Sequence, residues 1–91
     1  MVILVKYGFE NNISCKKMDL ADTQDTVVLL QNGVFWAFDK KMDSLREKGV
    51  NVFAIKDDFL ARGYKEDDSK VPLISYVDFI DIVEKDQKTI G

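Results

Sequence analysis

Cys15 is the only thiol in the 91 residues, and the chain contains no histidine. Zinc fingers, cysteine–histidine nucleophiles and serine–histidine–aspartate triads all need partners the sequence does not supply, and one cysteine cannot close an internal disulfide. The chemistry left open is carboxylate or lysine acid/base work, and sulfur carriage on a thiolate. With Asn12 as the cap of a first helix, Cys15 is its third residue, close to the positive end of the dipole, where a thiol pKa falls. A helix that turns Ile13 and Leu20 inward rotates Cys15 about 200° away from the interior, within reach of a donor or acceptor thiol. The plainer reading is an unreactive small residue at a helix start.

Two loops are the other candidates. Gly33, following Gln31 and Asn32, either offers backbone N–H groups to an anion at a helix start or simply makes a strand-to-helix turn. Lys56, Asp57 and Asp58 form the second loop. Carboxylates gather there and at Glu66-Asp67-Asp68, but a helix cap and a solvated loop account for both, and no metal site is expected. Neither GxGxxG nor GxxxxGK[ST] occurs, so no nucleotide is implied, and no cofactor is expected.

The elements that must position these residues are legible as hydrophobic runs. Val2 to Lys6, Thr26 to Leu30, Val50 to Ile55 and Val71 to Ser75 are short apolar segments ended by turn residues, which predicts four strands. Pro72 suits the last of them to an edge. Between them lie a first helix from Asn11 or Asn12 to about Ala21 and a second over Val34–Glu47, with Val34, Phe38, Met42 and Leu45 on one face and Trp36 pointing away. A short helix through Leu60 to Arg62 is capped by Asp57 or Asp58 and stopped by Gly63; a last one, from Tyr76 to about Lys85, is capped by Ser75. Alternating strands and helices predict an α/β fold, one small domain over residues 1–91 with a mostly parallel four-stranded sheet flanked by helices. The carboxyl ends of such strands collect ligands, so Gln31–Gly33 and Lys56–Asp58 are expected to form the only substantial concave polar surface.

Apolar residues make up 46 % of the chain and charged residues 32 %, a globular rather than disordered composition. The net charge of −3 comes from interleaved signs, so the basic footprint of a nucleic-acid binder is lacking and no direct nucleic-acid contact is expected. The apolar run at residues 2–5 is far too short for a signal sequence or a membrane span, which predicts a cytoplasmic protein away from membranes.

In the last helix Tyr76, Val77, Phe79, Ile80, Ile82 and Val83 cover roughly 220° of the circumference. One face of a sheet cannot bury that arc. The pattern predicts docking on another subunit, with Tyr76, Phe79, Ile80, Ile82 and Val83 in the interface.

The segment Val27-Val28-Leu29-Leu30-Gln31-Asn32-Gly33-Val34 resembles the strand-turn-helix signature of the TusB/DsrH family. Val52 to Gly63, with its acidic turn and Leu-x-Ala-Arg-Gly ending, and Ile74-Ser75-Tyr76-Val77-Asp78-Phe79-Ile80 are similar to two further blocks of that family, in the same order and spacing. The resemblance implies a DsrEFH-like fold and a role as one subunit of an assembly with TusC/DsrF-like and TusD/DsrE-like chains, whose members pass persulfide sulfur between thiols. It implies delivery either to 2-thiouridine at the tRNA wobble position or to sulfur oxidation. The principal accepting cysteine resembles a feature of the TusD/DsrE-like subunit, and this chain has no cysteine after its second, third or fourth strand. Some DsrH-like members carry one in the first helix, where Cys15 sits. Three readings follow: an accessory assembly subunit, a Cys15-dependent persulfide carrier, and a small-anion-binding homo-oligomer.

Overall fold

Buried on both faces, three apolar runs form the centre of a sheet in which every pairing is parallel. The structure, a computed structural model, describes residues 1–86 and 88–91. Strands β1 (Val2–Val5), β2 (Thr26–Leu29), β3 (Asn51–Ile55), β4 (Leu73–Ile74) and β5 (Thr89–Ile90) lie in the order β4-β3-β2-β1-β5. The register sets Val2 opposite Thr26 and Thr26 opposite Asn51, so the three central strands end at one level.

The expected α/β class and parallel sheet are present, but the sheet has five strands, not four. The extra one, β5, pairs Thr89 and Ile90 with Val2 and Ile3; two residues are too few to carry a hydrophobic period. The run at Val71–Ser75 pairs only through Leu73 and Ile74 and lies at the edge that Pro72 favours.

The two faces are covered unequally. On one, Ile3, Val5, Val27, Leu29, Val52 and Ala54 pack with Met18, Trp36, Met42, Leu45 and Phe59. On the other, Val2, Val28, Leu30 and Ile55 meet only partly buried side chains, among them Phe79, Ile82 and Val83. The helices α1 (Asn12–Leu20), α2 (Lys41–Glu47) and α3 (Lys56–Ala61), with a 3-10 segment Gln31–Phe38, precede β4, and α4 (Tyr76–Lys85) links β4 to β5 across the sheet. None of the described helices is long and apolar enough to cross a membrane.

Three helical details depart from expectation. In α1, Asn11, one of the two expected caps, accepts from Ile13 N at 2.9 Å and Ser14 N at 3.2 Å, but the inward face differs. The inward residues are Ser14 and Met18, while Ile13 and Leu20 are 61 % and 69 % exposed. Burial of Ser14 is possible because its hydroxyl donates to the Tyr7 carbonyl at 3.2 Å. The predicted helix over Val34–Glu47 is two pieces, a 3-10 segment and α2, separated by Asp39 in extended conformation. With three residues per turn rather than 3.6, the faces rotate, and Trp36 turns inward, its indole N–H donating to the Tyr7 carbonyl at 3.0 Å. Finally, α3 begins at Lys56, so Asp57 and Asp58 occupy its first turn instead of capping it; carboxylates there still suit the helix dipole. Gly63 at φ +85° and the Ser75 cap, which accepts from Asp78 N at 3.1 Å, are as expected.

Candidate functional site at the carboxyl edge of the sheet

The strand register delivers the ends of β1, β2 and β3 to one edge, and their side chains interlock there. Gly33 is required by space. A Cβ at this position would lie 1.8 Å from the carbonyl oxygen of Val5. Its own N–H donates to the Leu30 carbonyl at 2.9 Å, so it is engaged inside the turn. The residue with unusual backbone is Gln31, at φ +52°, a left-handed conformation disfavoured by any side chain with a Cβ.

Asp58 holds that turn. Its Oδ2 accepts the Gln31 N–H at 2.7 Å, and its Oδ1 accepts the Tyr76 hydroxyl at 2.5 Å. Arg62 donates through Nε and Nη2 to Asn32 Oδ1, at 3.1 and 3.0 Å, and through Nη1 to the Asp58 carbonyl at 3.0 Å. The structure therefore brings together Gln31, Asn32, Gly33 and Asp58 of the predicted loops. Lys56 instead pairs with Glu66 at 2.7 Å, and Asp57 is exposed in the first turn of α3. An anion arriving here would meet the Asp58 carboxylate, with the Gln31 and Gly33 N–H groups already occupied. Among the described residues no group of three or more histidines, cysteines, aspartates or glutamates is placed to hold a metal ion.

Contrary to the expectation of a single concave polar surface at the carboxyl edge, clefts lie elsewhere on the molecule. A cleft of about 250 Å³ lies toward the strand starts, lined by Arg46, Gly49, Asn51, Val52, Phe53 and Pro72. A more apolar one of about 320 Å³ lies between α4 and the sheet, lined by Leu4, Phe79, Ile80, Val83, Glu84 and Thr89.

The hydrogen bond to Asp58 raises the Tyr76 pKa above the ordinary tyrosine value, with burial and the Asp58 and Asp57 charges acting in the same direction and Arg62 opposing them. A folded-state pKa above the unfolded one makes a contribution to stability that is complete below about pH 10 and lost as pH rises through the folded value. Phenolate absorbance, taken as the difference between wild type and Tyr76→Phe, is expected to appear at higher pH than for free tyrosine; a difference titrating at the free value would disprove the link.

Cys15 sits one position on from the predicted one, as the fourth residue of α1. It is half-buried and packs against the larger core cluster. Lys41 pairs with Asp19 beside it; burial works to lower the Lys41 pKa, and the Asp19 carboxylate, with a smaller contribution from Cys15, outweighs it and leaves the pKa raised. Nothing in the sequence pattern signals this, because Lys41 and Asp19 are 22 residues apart. Since Cys15 contributes packing, Cys15→Ser is expected to cost about 1 kcal/mol and lower the melting temperature by roughly 4–8 °C; an unchanged melting curve would show that the contact contributes nothing.

The predicted interface residues divide between two sides of α4. Phe79, Ile82 and Val83 are half-buried against the sheet, whereas Tyr76 and Ile80 are 41 % and 52 % exposed, as is their neighbour Val77 at 69 %. None of the ten residues of α4 is fully buried, although six are apolar.

Comparison with known proteins supplies the lineage. The profile of the family described as DsrH like protein matches residues 8–89. Protein TusB of Buchnera aphidicola subsp. Schizaphis graminum is 40 % identical over 96 % of this chain and 94 % of its own length. Protein TusB of Escherichia coli K12 is 38 % identical over 67 % of each chain. Two solution NMR structures of Tm0979 from Thermotoga maritima superimpose on the fold. One covers all of both chains with a TM-score of 0.77 and 51 % identity. The other, described as a candidate sulfur transferase, has a TM-score of 0.73 and 52 % identity, covering 98 % of this chain and 97 % of its own. With a family profile spanning nearly the whole chain, and relatives alike in sequence and fold, this protein belongs to the TusB/DsrH family of sulfur-relay proteins.

Proposed function

We propose that the protein is a cytoplasmic subunit of a sulfurtransferase complex, acting mainly by assembly, in the relay that thiolates the wobble uridine of tRNA. Its partners are TusC/DsrF-like and TusD/DsrE-like chains, and the docking surface is the outer side of α4. The observation that carries the assembly role is a ten-residue helix with six apolar side chains and none fully buried: an arrangement that leaves apolar surface in water unless another chain covers it. The relay role rests on relatives named TusB. Mixing the purified chain with TusC- and TusD-like chains should give one complex by sedimentation, and deleting its gene should reduce wobble 2-thiouridine. No complex, or unchanged thiolation, overturns the respective half of the proposal.

A second reading rests on Cys15 itself, a free thiol in the first turns of α1 that is only half-buried. Here the Cys15 thiolate attacks the outer sulfur of a donor persulfide, the donor S–S bond breaks, and the donor leaves as a thiolate. A partner thiolate then attacks the outer sulfur of Cys15-S-SH and releases the Cys15 thiolate, with no net oxidation. After incubation with a cysteine desulfurase and cysteine, the peptide containing Cys15 should gain the mass of one sulfur, and Cys15→Ala should abolish the gain. No gain leaves the assembly role alone.

A further inference from the structure

One carboxylate meets two separate parts of the molecule. Asp58 Oδ2 takes the Gln31 amide in the turn after β2, and Oδ1 takes the hydroxyl of Tyr76, the first residue of α4. Gln31 stays left-handed only because its surroundings enforce it. The enforcing contacts are few: Asp58 on the Gln31 amide, Arg62 on the Asn32 side chain, and Gly33 pressed against the Val5 carbonyl. Because Arg62 also grips the Asp58 carbonyl, the turn and α3 are tied twice. The start of α4 is tied to α3 by the Tyr76 hydroxyl, and no residue of α4 is fully buried.

We propose that Asp58 couples the α4 docking face to the turn 31–33, so that a partner moving the first turn of α4 changes the backbone of Gln31. Withdrawal of the Tyr76 hydroxyl leaves the carboxylate with one fixed oxygen instead of two. The Asp side chain turns easily about its last torsion, so the Gln31 amide loses its acceptor part of the time and the left-handed residue relaxes. The two-state element is the Gln31 backbone, and both the α4 face and the carboxyl edge bias it. Coupling is reciprocal: whatever fixes the turn also steadies α4. This goes beyond the relay reading and rests on its assignment of α4 as the face on which a TusC- or TusD-like chain docks.

The test uses the full chain. Tyr76→Phe keeps the ring and removes the exposed hydroxyl. It should make the Gln31 amide exchange with solvent faster by about fivefold, the effect of losing one hydrogen bond's protection, and move the resonances of Gln31 to Gly33. Asp58→Asn keeps one acceptor oxygen and should affect the same three residues more strongly. Ile13→Ala, at an exposed position of α1, should leave them unchanged. Resonance changes confined to residues 75–80 and Asp58, with Gln31 exchange unaltered in Tyr76→Phe, would overturn the coupling. Should Asp58→Asn not fold, Tyr76→Phe decides the matter alone.

Discussion

Gly33→Ala is expected to destabilise the protein by about 3 kcal/mol or more, lowering the melting temperature by roughly 12–24 °C. The added methyl would sit 1.8 Å from the Val5 carbonyl oxygen and 2.6 Å from its carbon. Both are backbone atoms of β1, which lies between β2 and β5, and the same carbonyl accepts the Leu30 amide at 3.0 Å. Relief therefore requires breaking the junction of β1 with the turn. Two other glycines provide the scale. At Gly8 the new methyl meets the flexible end of Glu10 at 2.9 Å, which can move aside. Gly63 has open space around it and a φ of +85°, so alanine there should cost only about 1–2 kcal/mol of left-handed strain. Urea unfolding of the three variants gives the ranking directly. Gly33→Ala within 1 kcal/mol of wild type, by the usual precision of such ΔΔG values, would mean that β1 and the turn separate far more readily than this packing implies.

The features that were legible in the sequence share a cause. β1, β2 and β3 are covered on both faces, so their continuous apolar runs stand out, and parallel connection then fixes which loops share an edge. That is why Gln31, Asn32, Gly33 and Asp58 could be grouped before their contacts were known. What stayed hidden depends on pairings without a local period. β5 has two residues, and the inward face of α1 begins with a serine whose hydroxyl is satisfied by Tyr7. A period of 3.6 residues per turn places Trp36 outward, whereas the chain makes a 3-10 segment that turns it inward. The link from Asp58 to Gln31 and Tyr76 joins residues 27 and 18 positions away. Acidic residues at a helix start read as caps, and only the folded chain shows that this one ties two other elements together.

Ile80→Asp is expected to break the proposed assembly while leaving the fold intact. Ile80 is 52 % exposed, on the side of α4 turned away from the central sheet contacts, and it borders the apolar groove formed with Leu4, Phe79, Val83 and Thr89. In a lone chain the new carboxylate remains in water, so unfolding should change by no more than about 0.5 kcal/mol. In an assembly it would enter a dry contact. Burying the apolar strip of Tyr76, Val77 and Ile80 contributes about 25 cal/mol per Å² before association costs, and a charge at its centre costs about 2 kcal/mol or more, weakening association roughly thirtyfold. Phe79→Asp is the informative contrast. Phe79 packs against the buried cluster of Val2, Val28, Leu30 and Ile55, so this change should lower the stability of the chain itself. Sedimentation with and without the TusC- and TusD-like chains, beside thermal unfolding, separates the two effects. If Ile80→Asp assembles as tightly as wild type, the docking surface lies elsewhere. If the wild-type chain is monomeric alone at micromolar concentration and associates only with the other chains, a non-identical subunit covers α4, and the coupling through Asp58 then reports on that subunit's arrival.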